Sequence, residues 1–525
     1  MIRIAPPHEL LALAARFRSH SAAWHARASH PALRWLGAAT VLAAVISSIY
    51  LVFRGCDCIS RQYDDAYITF RYARNFATGH GLVFNVGDRT DSASSFLYTL
   101  LLALTYRVGF HDLPALAASF GVSCAGAVAA LVYLAALERT RRPLLSWLLA
   151  LLTGTHGLIA AWSVSGMETL LFTVLTTAAV YRLFVRQALG WTEVALVFLC
   201  VLTRFESVLL AATYLGLAAA RFASSQGAER RRVAWQVLAL GAGTAAFLAY
   251  KYALYGTIIP HAFALKTITR LYAPRPRALW LVWREHAFAL LLLAAAGLFC
   301  LPRTRQSLGF ALFSVSSAIS VCAGPYADWA RYSAHLVPLC AILASVPLSR
   351  LVQRLPLLAL AACTFLGMQA WSSFDKRRGD IEAGAAHERC RKRIGQYLER
   401  ALPAGSLILS SDIGVIAYAA PSMHFLDAVG LTSKDILLPR MRGQNADALF
   451  SKLKPVLIAD TCSGSCTRIQ DFAAYNWLHE GGYWRTPLPD EHYTERLHDG
   501  RVLTRCQSAD GLSFVAARFE LSDAP

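Results

Sequence analysis

Residues 113–137 read LPALAASFGVSCAGAVAALVYLAAL. No charged side chain interrupts them, and Arg139, Arg141 and Arg142 follow. As a helix rising 1.5 Å per residue the stretch is about 37 Å long, enough to cross a hydrocarbon core of roughly 30 Å. Cations closing one end mark that end as the inner one. The same pattern recurs at 290–301 and 355–371. Hydrophobic residues make up 56% of the chain, charged residues only 16%, and mean hydropathy is +0.41. Soluble domains hold nearer a quarter charged residues, so the composition excludes a soluble globule and predicts a polytopic α-helical membrane protein.

Working outward from 113–137, the Lys/Arg bias sets the topology. The net charge is +18. The arginines sit in short segments between apolar runs, which reads as topology rather than as a nucleic-acid patch, with part of the excess available to an anionic substrate. The N-terminal 34 residues carry Arg3, Arg16, Arg18, Arg27 and Arg34 against one acid, Glu9. No small-x-small cleavage site follows segment 35–53, which reads as an uncleaved first span running outward. Arg54 stands where a lipoprotein site before Cys56 needs a small residue. An outer loop, 54–95, comes next, then a short apolar segment, 96–110, expected to lie at the outer face.

Further spans are expected at 113–137, 144–164, 169–184, 233–252, 286–301, 308–323, 332–348 and 355–371. Segment 192–220 is apolar but holds Arg204 and Glu206. A charge at mid-bilayer costs roughly 2.5–3.5 kcal/mol, so this segment is read as a hairpin of two spans meeting near Arg204 on the outer side. The total is about eleven spans. Residues 1–371 thus form a membrane module. Residues 372–525 form an outer α/β domain, with a charged helix at 375–400 and short strands at 406–411, 423–426, 455–460, 501–505 and 514–519.

Of twelve cysteines, Cys124, Cys200, Cys300, Cys322, Cys340 and Cys363 fall in spans and read as small core residues. Cys56, Cys58, Cys390, Cys462, Cys466 and Cys506 fall outside, where disulfides are permitted. A Cys462–Cys466 loop closure is favoured over a metal site, because no His pair stands nearby; the pairing of Cys390, Cys462, Cys466 and Cys506 stays open.

Five polar clusters fall on the outer side. They are Asp64-Asp65-Ala-Tyr67-Ile-Thr-Phe-Arg71-Tyr72, Ser165-Gly-Met-Glu168-Thr169, Arg204-Phe-Glu206, Tyr255-Gly-Thr-Ile-Ile-Pro260-His261 running to Lys266, and Tyr326-Ala-Asp328-Trp329-Ala-Arg331-Tyr332. Each has a plain structural reading. Asp64-Asp65 and Glu168 serve as helix caps. Arg204 pairs with Glu206, and Asp328 with Arg331. Lys266, Arg270, Arg275 and Arg277 face headgroups, and Tyr326, Trp329 and Tyr332 are interfacial belt residues. Taken together they also suit a sugar carried on a lipid phosphate. A cation neutralises the leaving phosphate. One of two adjacent acids, each raising the proton affinity of the other, accepts the proton of an attacking hydroxyl.

The stretch from Asp64 to Asp88, with the segments around Glu168, Arg204 and Arg331 and the downstream Ser411-Asp412-Ile-Gly-Val-Ile-Ala-Tyr418 and Leu426-Asp427-Ala-Val-Gly430-Leu431-Thr432, resembles the C superfamily (GT-C) of glycosyltransferases. The branch it looks most like is that of the mycobacterial terminal arabinofuranosyltransferases. The resemblance implies an inverting transferase of the bacterial inner membrane that uses a polyprenyl-phosphate sugar, best matched to arabinofuranose. A glycan or protein acceptor would be bound on the periplasmic side. It implies an acid of the first outer loop as base, Asp64 or Asp65, with Asp64 preferred and Asp65 orienting or assisting it. Arg71, Lys266 and Arg331 are the expected phosphate contacts. Tyr67, Glu168, Arg204, Glu206, His261, Asp328, Trp329 and Tyr332 are the expected substrate contacts. Some superfamily members use a divalent metal such as Mg or Mn, though no local motif here demands one. Phe205 where relatives often have Pro, and the stretch Thr90-Asp-Ser-Ala-Ser-Ser95, depart from the pattern and bear on acceptor and sugar. A transporter or flippase of lipid-linked sugar is the rival class, but no internal repeat is present and the polar set is one-sided.

Overall fold

The structure, a computed structural model, describes residues 31–54, 63–93, 95–268, 276–323, 330–436, 457–462, 506–507 and 513–518. Apolar segments become helices because a backbone in lipid must satisfy its own hydrogen bonds. The first is α1, Pro31–Arg54. An amphipathic helix, α2 (Asp64–Ala77), and a short apolar helix, α3 (Phe96–Arg107), precede α4 (Leu113–Thr140). Helix α4 is buried along most of its length and packs against α1. The segment expected at 144–164 is a bent pair, α5 (Pro143–Gly154) and α6 (Gly157–Ser163), meeting at 54°. Helix α7 (Thr169–Val180) passes into a π-helical turn, Tyr181–Val185.

The expected break near Arg204 is present. Helix α8 (Trp191–Thr203) stops at Arg204, whose backbone is extended, and α9 (Val208–Ser224) starts after a 3-10 turn, Phe205–Ser207. There follow α10 (Gly227–Tyr255), the short α11 (His261–Ile268), α12 (Pro276–Phe299, kinked at Ala287), α13 (Arg305–Ala323) and α14 (Leu336–Arg354). Six described helices are long and apolar enough to cross a membrane, and the bent pair makes a seventh. Thr169–Val185, Trp191–Thr203 and Ala287–Phe299 are shorter apolar helices, as is α3.

The last span does not end at residue 371. Helix α15 runs unbroken from Pro356 to Ala401, 46 residues, joining the expected span and the expected charged helix into one rod. It crosses α6 where Gly157 faces Ser373; a Cβ on Gly157 would lie 2.2 Å from Ser373 Oγ. Small residues of this kind let helices approach closely where no hydrophobic effect drives them together.

Beyond α15 a five-stranded sheet runs in the order β2-β1-β3-β5-β4. Strands β1 (Leu407–Ser410), β2 (His424–Asp427) and β3 (Leu457–Cys462) are parallel neighbours about β1; β5 (Ser513–Arg518) pairs antiparallel with β3 and with β4 (Cys506–Gln507). Residues 501–505, expected as a strand, lie outside the described residues. A five-residue helix, α16 (Val415–Ala419), connects β1 to β2. One apolar cluster, including Ile68 and Tyr72 of α2, Phe84, Ile394 and Leu398 of α15, and Ile408, Ile416 and Phe425, welds α2 and the segment after it to this C-terminal part. The aspartate pair therefore sits on a rigid seam between α2, α15 and α16.

Candidate active site

Helix α2 opens at Tyr63, which makes no side-chain cap, and Asp64 and Asp65 occupy its first turn. The capping reading of these acids does not hold. Asp64 turns its carboxylate across to α16, accepting the amides of Gly414 at 3.0 Å and Val415 at 2.8 Å. The approach is tight: a Cβ on Gly414 would stand 1.9 Å from the Asp64 carbonyl oxygen. Arg391 of α15 lies 4.0 Å from Asp64 and 2.7 Å from Asp412. Burial lifts the Asp64 carboxyl to about 6; Arg391 and the Val415 amide oppose the rise, while Asp412 and Asp65 add to it.

Asp65 points the other way. It lies 3.4 Å from Arg331, which stands in a 3-10 turn, Ala330–Ser333. Arg331 is buried and also donates to Tyr332 Oη at 2.9 Å and to Met167 Sδ at 2.8 Å. The Tyr332 ring carries a second guanidinium, that of Arg204, at 4.7 Å; Arg331 itself lies 4.9 Å from the same ring. Arg204 in turn pairs with Glu206 at 2.8 Å and with Glu168 at 3.4 Å. Glu168 stands at the N-cap position of α7, but its side chain makes no capping bond. Asp65, Glu168, Arg204, Glu206, Arg331 and Tyr332, far apart in sequence, thus form one chain of contacts beside Asp64. Two arginines share one aromatic ring among three carboxylates, so the cations are preorganised but held by acids that outnumber them by one.

Three expected site residues have other work. Arg71 is not placed to meet a phosphate. Its guanidinium, 1% exposed, donates to the carbonyls of Phe84, Ala417, Ala420 and Met423, stitching α2 to the end of α16 and the turn leading into β2. Tyr67 is likewise buried, and its hydroxyl donates to Glu388 of α15. His261 binds the loop at 91: its amide donates to the Asp91 carbonyl at 2.9 Å, and its Nδ1 accepts the Asp91 amide at 3.0 Å. Burial depresses His261, and Lys251 at 2.7 Å offsets the rise that burial imposes on Asp91. The departing stretch at 90–95 is therefore held by α10 and α11. Asp328, Trp329 and the side chain of Lys266 lie outside the described residues, as do the disulfide partners expected for Cys462.

Reading from sequence did not find Arg391, Glu388 or Gly414. Arg391 sits in the run Arg-Lys-Arg, where nothing distinguishes it from its neighbours. Among the described residues no three His, Cys, Asp or Glu side chains converge as metal ligands. Arginines stand beside Asp64, Asp412 and Asp65 where a divalent ion would need further oxygens, so these residues do not fit a metal and no step below passes through one.

Among solved structures the chain is similar to ArnT from Cupriavidus metallidurans. Bound to undecaprenyl phosphate, that protein aligns over 90% of this chain and 97% of its own, with TM-score 0.55 and 11% identity. Its apo form aligns over 93% and 98%, with TM-score 0.53 and 11% identity. The fold is the ArnT-like GT-C fold. Residues 379–497 match a family described as a domain of unknown function, DUF8728. No curated protein matches the chain. The likeness to ArnT is one of architecture, and the arabinofuranosyltransferase branch read from sequence stands as a proposal.

Proposed function

We propose that the protein is an inverting glycosyltransferase of the bacterial inner membrane. It moves a sugar, with arabinofuranose the first candidate, from a polyprenyl-phosphate donor to a glycan or protein acceptor of the envelope on the periplasmic side. The observation that carries this reading is the adjacency of Asp64, a half-buried acid with raised proton affinity, to the Asp65–Arg331–Tyr332–Arg204 chain. The donor's phosphate would displace Asp65 and draw on Arg331, with Arg204 behind the shared ring. The acceptor O–H gives its proton to Asp64 as its oxygen attacks the anomeric carbon from the face opposite the phosphate. The bond from that carbon to the phosphate oxygen breaks, and polyprenyl phosphate leaves with the electron pair, its charge met by Arg331. A single displacement inverts the centre, and no acid is needed to protonate the leaving group. The undecaprenyl phosphate bound by ArnT, a protein of the same fold, supports a lipid of this class.

The test is transfer of sugar from a synthetic polyprenyl-phosphate donor to envelope extract, read by mass spectrometry, for the wild-type protein and Asp64→Asn. Loss of transfer with donor binding kept supports the base. Full transfer after Asp64→Asn and Asp65→Asn together sinks it. Movement of the donor across vesicles without any transfer would favour a translocator.

A further inference from the structure

The end of the bundle opposite the aspartate pair holds a second polar site. Helix α7 starts beside Glu168; 17 residues on, roughly 25 Å along its axis, the π-helical turn ends at Val185. There a cavity of about 520 Å³ opens, lined by Arg34, Glu138, Arg139, Arg141, Arg186 and Gln187 among others. Glu138 is already committed: Oε1 accepts from Arg186 at 2.7 Å, from Tyr181 Oη at 2.7 Å and from Arg34. Four arginines face one carboxylate. Arg139 Nε is shut from solvent and has no hydrogen-bond partner among the described residues.

Cations at an inner helix end are ordinary topology signals. A topology signal needs charge alone; this site has more. Only two non-glycine residues among those described have left-handed backbones, Arg141 with φ 57° and Gln187 with φ 52°, and both line the cavity. Such backbone costs free energy and collects at binding sites. The π-helical turn, itself a frequent mark of function, lies on the same wall, contributing Phe184 and Val185.

We infer that this cavity binds a phosphate group at the membrane face opposite the Asp64–Asp65 pair. The guanidiniums of Arg139 and Arg141 supply the charge that Glu138 leaves uncompensated, in the planar, forked geometry suited to phosphate oxygens. The phosphate belongs either to an anionic lipid headgroup of that leaflet or to a soluble molecule.

Two arms separate these sources. In the first, the full-length detergent-solubilised protein is titrated with phosphatidylglycerol, with phosphatidylcholine as the neutral control, and bound lipid is counted by native mass spectrometry. In the second, inorganic phosphate is added and the melting temperature followed. Arg139→Gln is expected to weaken the phosphate-bearing ligand about tenfold, the effect of losing a charge-assisted hydrogen bond. An effect confined to phosphatidylglycerol assigns a headgroup; a phosphate-induced rise in melting temperature, lost in the variant, assigns a soluble phosphate. Arg141→Gly guards against misfolding. It removes a cation but suits the left-handed backbone, so it should melt no lower than wild type while binding more weakly. Unchanged binding by both variants in both arms overturns the inference.

Discussion

The carboxylate of Asp64 accepts the backbone amide of Val415 at 2.8 Å, across 351 positions of the chain. The acid read as the base is therefore aimed by a helix that belongs to the C-terminal part. Catalysis by a positioned base contributes about 10²–10⁴-fold. Asp64→Asn is expected to lower kcat by at least about a hundredfold while the donor still binds. Measuring kcat and donor affinity separately checks it.

The pH dependence has a sign of its own. Burial raises the Asp64 carboxyl from 3.8 to about 6. A raised folded pKa means that the folded protein binds more protons than the unfolded chain between those values. The stability this contributes is present below the unfolded value and is lost as pH rises through 6. Transfer runs oppositely, because only the carboxylate accepts a proton. The kcat profile should rise to a plateau with its midpoint near 6, and melting temperature should fall between 3.8 and about 6 and then level off. A flat profile from pH 5 to pH 7, expressed as about two units around that midpoint, counts against Asp64.

Gly414→Ala places a methyl group against the Asp64 carbonyl, where an added Cβ would stand at 1.9 Å. The two segments must part. Overpacking of this kind costs about 1–3 kcal/mol. The expected result is a lower melting temperature and a fall in kcat larger than any change in donor KM, because Asp64 loses its amide partners.

Arg71→Ala takes the donor from the Ala417 and Met423 carbonyls, while the Phe84 carbonyl keeps Asn75 Nδ2 and the Ala420 carbonyl keeps the Met423 amide. Leaving buried groups unsatisfied costs about 1–3 kcal/mol each, so a loss of at least about 2 kcal/mol is expected. Donor KM in whatever fraction folds should be unchanged. A selective rise in KM at constant melting temperature would restore Arg71 to the phosphate set.

Arg331→Gln has the opposite signature. Removing the buried cation between Asp65 and Tyr332 should raise donor KM about tenfold or more, as losing a charge-assisted bond does. Arg331→Lys should recover only part of this, since a lysine keeps charge but not the forked donor geometry.

Much of this architecture was readable from residue order. Arg204 and Glu206 announced the break between α8 and α9, because two charges inside an apolar run are too costly at mid-bilayer. Asp64-Asp65 were conspicuous as adjacent acids opening an amphipathic segment. Arg71 was misread for the same reason: it stands seven residues from Asp64, two helical turns on, and looks like a partner of the acids. Its carbonyl partners at 417, 420 and 423 belong to a tertiary contact that no local pattern encodes. Arg391 was hidden by the converse. Its neighbours are equally charged, and only the packing of α15 against α16 selects it.

Helix α15 has a mechanical meaning. It carries both the crossing with α6 at Ser373 and, 18 residues on, the guanidinium that steadies Asp64 and Asp412. That arm is about 27 Å long. Neighbouring helices set the tilt of such a rod. Its far end is clamped too: Ile394 and Leu398, one and two turns beyond Arg391, are buried with Ile68, Tyr72 and Ile413. A tilt at the crossing therefore carries Arg391 and both of its acids along as one body, and the membrane end of the rod moves the cluster without drawing it apart.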